Sequence, residues 1–343
     1  MPRADAAPGA APRGRARRVL LLGATGTIGQ ATARALVQRG HEVVALVRPR
    51  AGVGGRLGPA QWQQRLPGVT LRQGLAGDGR SLARDGFCGE PFDALVSCLA
   101  SRTGAPADAW AIDGQAHLQA WQCAQAAGVR QVVMLSAICV QKPRLAFQHA
   151  KLAAEQALIG SGMAYSIVRP TAYFKSLCGQ VERVRRGQPY LLFGDGLQTA
   201  CKPISDDDLA AYLADCLDHP QRLNQVLPIG GPGPAITPRA QGEHLFALLG
   251  RPARFRQVPV GLMTAVAGTL AAAARLCPPL AGRAEFARIG HYYATESMLV
   301  WDAAAGRYDA DATPSFGRQT LFDCYAALVR GEAAPERGDH ALF

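Results

Sequence analysis

The chain has 343 residues, of which 48% are hydrophobic and 18% charged, and its formal net charge at pH 7 is +11. These values are typical of a globular protein that is long enough for one large domain and a smaller partner. No basic stripe is interleaved with aromatic residues, which argues against a nucleic-acid-binding protein.

Both ends of the chain differ in composition from its middle. Residues 1–17 hold several arginines among alanine, proline and glycine without a core-forming pattern, which predicts a disordered basic tail. This tail lacks the apolar segment of a secretory signal, so we expect a cytoplasmic protein. Residues 331–343 predict a second loose tail.

The nine cysteines are scattered, their number is odd, and no Cys-x-x-Cys pair occurs. This distribution is typical of thiols that pack as small hydrophobic side chains in a reducing compartment. We therefore expect neither disulfides nor a bound metal.

The first predicted element is a buried strand that begins at Arg18 and is followed by a glycine-rich turn and a helix. In a dinucleotide-binding fold the first glycine allows the tight turn, the second lets the backbone approach the pyrophosphate, and the third lets the helix pack closely. Three glycines alone could be a structural turn, but the flanking strand and helix favour a cofactor. The motif residues assigned to cofactor binding are Gly23, Thr25, Gly26, Thr27, Ile28 and Gly29.

The second predicted strand, residues 42–48, ends at Arg48, where an acidic residue would bind the ribose 2′-hydroxyl of NAD. A cation suits a 2′-phosphate, so Arg48 favours NADPH, and the alternative is a solvated arginine. Residues 51–68 predict an irregular connection, and residues 69–74 a third strand. Asp78 follows as either an adenine contact or only a turn residue.

Apolar runs at residues 92–99, 130–136 and 165–170 predict three more strands, which alternate with helices at 110–127 and 147–161. This alternation indicates an α/β fold, a doubly wound parallel sheet of the NAD(P)-binding Rossmann type. Residues 18–175 would form the cofactor domain, and 176–330 a smaller substrate-binding part interleaved with the end of the sheet. Ser136 and Pro170 end two strands and are assigned to the cofactor.

Short-chain dehydrogenases carry Tyr-x-x-x-Lys on the helix one strand after a serine, where the tyrosine moves the substrate proton and the lysine binds the nicotinamide ribose. The aligned stretch here is Phe147-Gln-His-Ala-Lys151, so the lysine is present and the hydroxyl absent. Phenylalanine is not an acid, which disfavours carbonyl chemistry. Reduction of a carbon–carbon double bond conjugated to a large π-system needs no such acid, because the carbanion is delocalised. Loss of catalysis is the alternative.

Lys151 is assigned to the nicotinamide ribose, with an exposed helix lysine as the alternative, and His149 to the protein surface. Tyr173 and Lys175 follow Pro170 and would face the nicotinamide end of the cofactor. They are candidate proton donors or substrate contacts. The predicted catalytic residues are therefore Lys151, Tyr173 and Lys175.

Residues 258–274 contain no charged side chain. The run falls short of the roughly 20 apolar residues that cross a membrane, and glycines and threonines interrupt it. It predicts a buried or pocket-lining helix, and contact with a membrane surface is the alternative.

The glycine motif and four further segments together resemble the NADPH-dependent divinyl chlorophyllide 8-vinyl-reductases, in the NmrA- and isoflavone-reductase-like branch of the short-chain dehydrogenases. The four segments are residues 136–143, 147–152, 169–176 and 289–300. The resemblance implies that NADPH reduces the 8-vinyl group of divinyl chlorophyllide, or of its protochlorophyllide precursor, to ethyl in chlorophyll or bacteriochlorophyll synthesis. The implied substrate is a flat, apolar magnesium tetrapyrrole with a carboxylate.

Two alternatives stay open. A non-catalytic NADP(H)-binding sensor or assembly factor would explain the missing tyrosine, although the retained Lys151 argues against it. A reductase of another conjugated double bond, such as that of an isoflavonoid, would share the same fold. The sequence does not predict the proton donor, the oligomeric state or which pigment is preferred.

Overall fold

Eleven strands and thirteen α-helices lie within residues 15–51 and 57–332, the part of the chain that this computed structural model describes. The strands are β1 (Arg18–Leu22), β2 (Glu42–Val47), β3 (Val69–Gln73), β4 (Ala94–Ser97), β5 (Gln131–Leu135), β6 (Ala164–Pro170), β7 (Tyr190–Phe193), β8 (Gln225–Ile229), β9 (Phe255–Val258), β10 (Val300–Asp302) and β11 (Arg307–Asp309). The helices are α1 (Thr27–Gln38), α2 (Pro59–Arg65), α3 (Gly79–Ser81), α4 (Pro106–Ala109), α5 (His117–Ala126), α6 (Ala146–Ile159), α7 (Phe174–Leu177), α8 (Val181–Arg185), α9 (Asp206–Asp218), α10 (Pro238–Leu248), α11 (Val260–Leu276), α12 (Ala281–Thr295) and α13 (Leu321–Arg330).

Seven strands form one parallel sheet in the order β3-β2-β1-β4-β5-β6-β8. The chain runs from β1 outward to β3 and then crosses back to β4 on the other side of β1. Strand order therefore reverses between β1 and β4, which is where open α/β sheets bind their ligands. The predicted doubly wound parallel sheet is confirmed.

Both faces of this sheet are covered, which explains why its strands are continuous apolar runs. Alternate residues of β1 point to opposite faces, so Leu21 joins the layer of α1 and α9 whereas Leu20 joins the layer of α5 and α6. Burial on two faces holds the strand ends in place, and the loops at their carboxyl ends carry the candidate site.

The C-terminal part returns to the sheet through β8 and α9, which packs against α1. Its other elements enclose a separate core beside the sheet edge, where β7 pairs with β9 and helices α8, α10 and α13 cover that pair. Phe174, Tyr190, Leu192, Phe246 and Tyr325 are buried in this core. Helices α11 and α12 form a hairpin, and β10 pairs with β11.

Three predictions about elements are wrong in part. The connection predicted as irregular contains α2, which begins at Pro59 and buries Trp62. The Gln61 side chain accepts a hydrogen bond from the Gly58 amide and so caps the start of this helix. Residues 52–56 lie outside the described residues. The helix predicted from residue 110 begins at Pro106 and has π-helical geometry over residues 110–116. Helix α11, predicted to be buried or to line a pocket, buries only Ala267.

The predicted N-terminal tail lies mostly outside the described residues, but Arg17 donates from its amide to His41 and from its guanidinium to Gln131. All nine cysteines are free thiols, of which Cys88 and Cys277 are exposed. Within the described ranges no group of three or more potential ligands is arranged around a metal position. None of the described helices has the length and hydropathy of a membrane-spanning segment.

Candidate active site

The glycine turn between β1 and α1 packs tightly against the protein at Gly23 and Gly29 and leaves room for a ligand at Gly26. Gly23 has φ +78°, and a Cβ there would lie 2.5 Å from the Cys98 carbonyl oxygen. A Cβ on Gly29 would lie 2.0 Å from the Gly23 carbonyl oxygen, so only glycine lets α1 approach β1 this closely. A Cβ on Gly26 would meet nothing nearer than 3.5 Å, and no side chain caps the start of α1. The turn therefore fits the phosphates of a dinucleotide, held by helix N–H groups.

Lys175, which the sequence predicts as a proton donor or substrate contact, lies beside this turn, and that predicted role stays a prediction. Its ammonium donates to the Thr27 hydroxyl at 2.8 Å, and Thr27 is the first residue of α1. Lys175 belongs to α7, which follows β6 directly, so the fold brings two distant segments together at the phosphate end of the cofactor site.

The adenosine end of the site is set by the register of β1 with β2. Leu22 pairs with Leu46, which places Arg48 just beyond the level of Gly23 on the neighbouring strand, with its side chain exposed. This position is compatible with a 2′-phosphate contact. Asp78 accepts the Arg80 amide through Oδ1 and so caps α3. The turn role of Asp78 is thus visible, and its adenine contact stays a prediction.

Lys151 is almost completely buried, so the alternative of an exposed helix lysine is wrong. Its Nζ lies 3.0 Å from Oδ1 of the buried Asp113, whose carboxylate also accepts the Ser101 amide at 3.3 Å. Ser101 belongs to the loop after β4, at the carboxyl edge of the sheet. A buried ion pair of this kind fixes the position of the ammonium. Its contact with a nicotinamide ribose stays a prediction.

Ser136 is also buried, and its hydroxyl donates to Glu155, which forms an ion pair with Arg169. Ser136, Glu155 and Arg169 thus connect the end of β5, α6 and β6 below the cofactor edge. The Ser136 hydroxyl serves this network, and a cofactor contact by the residue stays a prediction, as it does for Pro170 at the end of β6.

Ser97, at the end of β4, turns its hydroxyl inward as well, to Nε2 of His117 at 3.0 Å. Burial and, next, the Lys151 charge lower the pKa of His117 to about 4. The imidazole is therefore neutral at physiological pH. The sequence analysis missed three buried polar residues of this region, His117, Asp113 and Glu155. The one feature in the sequence that points to them is a polar side chain on an otherwise apolar face of a helix.

Phe147 packs against a cluster at the boundary with the C-terminal part, which consists of Ile138, Cys139, Leu145, Cys201, Tyr292 and Met298. The Tyr292 hydroxyl donates to the carbonyl oxygens of Cys139 at 3.0 Å and Lys142 at 3.1 Å. These bonds anchor α12 on the loop after β5. The position that carries the acidic tyrosine in short-chain dehydrogenases is therefore apolar here and faces α12.

Two phenols lie close to this cluster. Tyr293, next to the anchoring Tyr292, keeps 39% of its surface exposed, yet the surrounding protein raises the pKa of its phenol. The Cys139 thiol and Tyr173 contribute to that shift, so they are near neighbours. Burial likewise raises the pKa of Tyr173. Both phenols stay protonated at physiological pH and are able to donate a proton or hydrogen bond.

A second contact joins the loop after β5 to the C-terminal part. The Lys142 ammonium lies 2.6 Å from Oε2 of Glu296 and 4.1 Å from the centroid of the Trp301 ring. Glu296 also accepts the Tyr308 hydroxyl and pairs with Arg144 at 2.9 Å. His149 is exposed on α6, as expected. The loop after β5 is thus joined to the C-terminal part by polar contacts around Glu296.

Residues 23–220 match a protein family described as NAD(P)H-binding. The binary complex of leucoanthocyanidin reductase and NADPH from Vitis vinifera has a TM-score of 0.67 at 16% identity, over 91% of this chain and 99% of that chain. For the NADPH complex of the quinone oxidoreductase QOR2 from Escherichia coli the TM-score is 0.63 at 19% identity, with the same coverage. These likenesses confirm the NAD(P)-binding Rossmann fold.

Curated relatives are similar over nearly the whole chain. The chloroplastic divinyl chlorophyllide a 8-vinyl-reductase of Oryza sativa subsp. indica is 48% identical over 331 residues, which cover 95% of this chain and 82% of the rice protein. The corresponding protein of Zea mays is 46% identical with the same coverage. The similarity extends far beyond the glycine motif and confirms the family expected from residues 136–152 and 289–300. The chain belongs to the divinyl chlorophyllide a 8-vinyl-reductase family.

Proposed function

We propose that this protein reduces the 8-vinyl group of a divinyl chlorophyllide to an ethyl group with NADPH. The observation that carries the proposal is the combination in one chain of a complete dinucleotide turn, the buried Lys151 and an apolar Phe147 in place of the usual acid. Reduction of a conjugated vinyl group does not depend on an acid at position 147, because the electron pair is delocalised, whereas carbonyl reduction relies on that acid to protonate the oxygen.

The residues of this chain have separate tasks in that reaction. The glycine turn, Arg48 and Lys151 would hold NADPH, which when bound would supply the hydride for the terminal carbon of the vinyl group. Lys151 positions the nicotinamide ribose, and Phe147 presents an apolar surface to the flat pigment. Tyr173 or Tyr293 then gives its phenolic proton to the inner vinyl carbon, and solvent restores that proton.

The preference for NADPH over NADH rests on Arg48. Arg48→Asp places a negative charge where the 2′-phosphate binds, so we expect the affinity for NADPH to fall about tenfold or more and that for NADH to be retained. Titration of both nucleotides by fluorescence measures this. Arg256→Asp, at an exposed position on β9, is the charge-matched control. An unchanged NADPH to NADH ratio in Arg48→Asp would assign the 2′-phosphate to another residue.

We also propose that α11 contacts an anionic membrane surface while the pigment is processed. Its exposed apolar stripe includes Leu262, Val266 and Leu276, and Leu276 is 91% exposed. These positions recur at helical spacing and lie on one side of α11. No acidic residue occurs from 244 to 284, whereas Arg275 and Arg283 occur near the turn of the hairpin. An apolar stripe with flanking cations is typical of a helix that lies in a lipid interface.

Sedimentation with vesicles tests this membrane contact. We expect binding to vesicles rich in phosphatidylglycerol, weaker binding to phosphatidylcholine alone, and loss of binding in Leu262→Asp/Val266→Asp. The matched control is Leu197→Asp, because Leu197 is similarly exposed outside the hairpin. Equal binding by both variants, or a stripe covered by a second copy of the chain in solution, would contradict the proposal.

A further inference from the structure

We infer that Lys175 clamps the pyrophosphate of the cofactor, and that cofactor binding thereby ties the glycine turn to the C-terminal part. The inference rests on the proposed use of NADPH but not on the identity of the pigment. The glycine motif accounts for the turn itself, and neither the motif nor the family description assigns Lys175 to the phosphates.

The first observation is the position of the charge. The Lys175 ammonium donates to the Thr27 hydroxyl at 2.8 Å, and Thr27 begins the twelve-residue helix α1. The N-terminus of a helix carries a partial positive charge, so a cation at this place is repelled in the absence of an anion. A site that combines an ammonium group with the partial positive charge of a helix N-terminus is complementary to the negatively charged pyrophosphate group.

The second observation is the lack of a competing anion. Within the described residues no carboxylate forms an ion pair with Lys175. Its Nζ lies 5.9 Å from the centroid of the Tyr173 ring. By contrast, Lys142, Lys151 and Arg169, which are other cations near the site, each pair with a carboxylate. Lys175 is thus a cation beside the glycine turn that is available to an anionic ligand.

The third observation is where the segment leads. Tyr173 forms a bridge with Ile204, and Phe174 is buried in the core of the C-terminal part. A phosphate group held by both α1 and Lys175 therefore links the sheet edge to α7. It also fixes the residues that precede Lys175, among them the candidate proton donor Tyr173. Cofactor binding thus fixes the position of Tyr173 before the pigment binds.

Binding of NADPH without pigment tests this assignment. Because a hydrogen bond to a charged group is lost, Lys175→Met should weaken NADPH about tenfold to hundredfold, whereas Lys175→Arg should retain most of the affinity. Inorganic pyrophosphate should displace NADPH from the wild-type protein and should bind more weakly to Lys175→Met. The NADPH dissociation constant should also depend less steeply on salt concentration in Lys175→Met.

Circular dichroism establishes that both variants are folded. Hydrogen exchange then measures whether the cofactor orders the segment around Lys175, which a dissociation constant does not report. NADPH should protect amides of residues 171–177 in the wild-type protein, and the protection should be lost in Lys175→Met. An unchanged dissociation constant together with a reduced kcat would overturn the inference and return Lys175 to the substrate. Failure of the pigment to react would leave these binding results intact, so the two proposals fail separately.

Discussion

The chemistry at the residue scale depends on where a proton comes from once position 147 is a phenylalanine. Phe147 packs in the cluster that Tyr292 anchors, and the phenols of Tyr173 and Tyr293 come from two other elements. Protein crowding raises the pKa of both phenols, so each is a protonated donor throughout the physiological range. We therefore propose that a phenol from outside the Tyr-x-x-x-Lys helix replaces the missing hydroxyl.

Substitution of these tyrosines locates the donor. We expect the variant of the true donor, either Tyr173→Phe or Tyr293→Phe, to lower kcat about a hundredfold while the NADPH dissociation constant stays unchanged. Tyr165→Phe is the control, because Tyr165 lies at the amino end of β6, at the edge of the sheet opposite the glycine turn. Full kcat in the double variant would contradict the role of a phenol and would make water the proton source.

The buried pair of Lys151 and Asp113 predicts an asymmetric effect on stability. Lys151→Met leaves a buried carboxylate without its cation, which should lower the free energy of unfolding by about 3–5 kcal/mol. Lys151→Met/Asp113→Leu removes both charges and should cost less than the single variant. Denaturant titration measures both, and a double variant that is less stable than Lys151→Met would contradict this account of the pair.

His117 predicts a pH dependence of stability. Its folded pKa of about 4 lies below the ordinary value of 6.5, so between these values the unfolded chain binds a proton that the folded protein excludes. The contribution of His117 to stability is complete above pH 6.5 and falls by roughly 3 kcal/mol as the pH drops to 4. Urea titrations of the wild type and His117→Gln should therefore converge on acidification. Parallel pH profiles would disprove the assignment.

At the scale of elements, the hydrophobic pattern of neighbouring residues predicted the strands and helices whose formation depends on that pattern. The strands around Leu21, Val96 and Val133 are continuous apolar runs because both faces of the sheet are covered. Their alternation with helices along the chain predicted a parallel sheet. Helix α11 shows the limit, since an uncharged run indicates a helix but not which partner covers it. The π-helical turns at 82–87 and 110–116 have no sequence signal of their own.

The approach of α1 to β1 supplies a prediction at this scale. Gly29→Ala places a Cβ 2.0 Å from the Gly23 carbonyl oxygen, so the helix has to move away from the strand. We expect loss of NADPH binding and a lower melting temperature. Gly268→Ala is the matched control in another helix, where no atom lies within 4 Å of the added Cβ, and it should stabilise the protein by about 1 kcal/mol. Normal NADPH affinity in Gly29→Ala would contradict the steric argument.

At the scale of the whole molecule, the site lies between the sheet edge and a C-terminal part that shares the sheet through β8. The glycine turn was predictable because its residues are close in sequence. The contacts of Lys175 with Thr27, of Tyr292 with Cys139 and of Lys142 with Glu296 join residues more than 140 positions apart. Spacing along one sequence does not encode such pairs, and for this reason the sequence did not predict the contact of Lys175 with Thr27.

The most direct test of the central claim is turnover of purified pigment. The protein is incubated with NADPH and divinyl chlorophyllide, and the Soret band and the pigment mass are followed, with a sample lacking NADPH as control. We expect a blue shift of the Soret band and a mass increase of two hydrogens, at the expense of NADPH. Tight NADPH binding with an unchanged pigment would contradict vinyl reduction and favour a non-catalytic NADPH sensor on this fold.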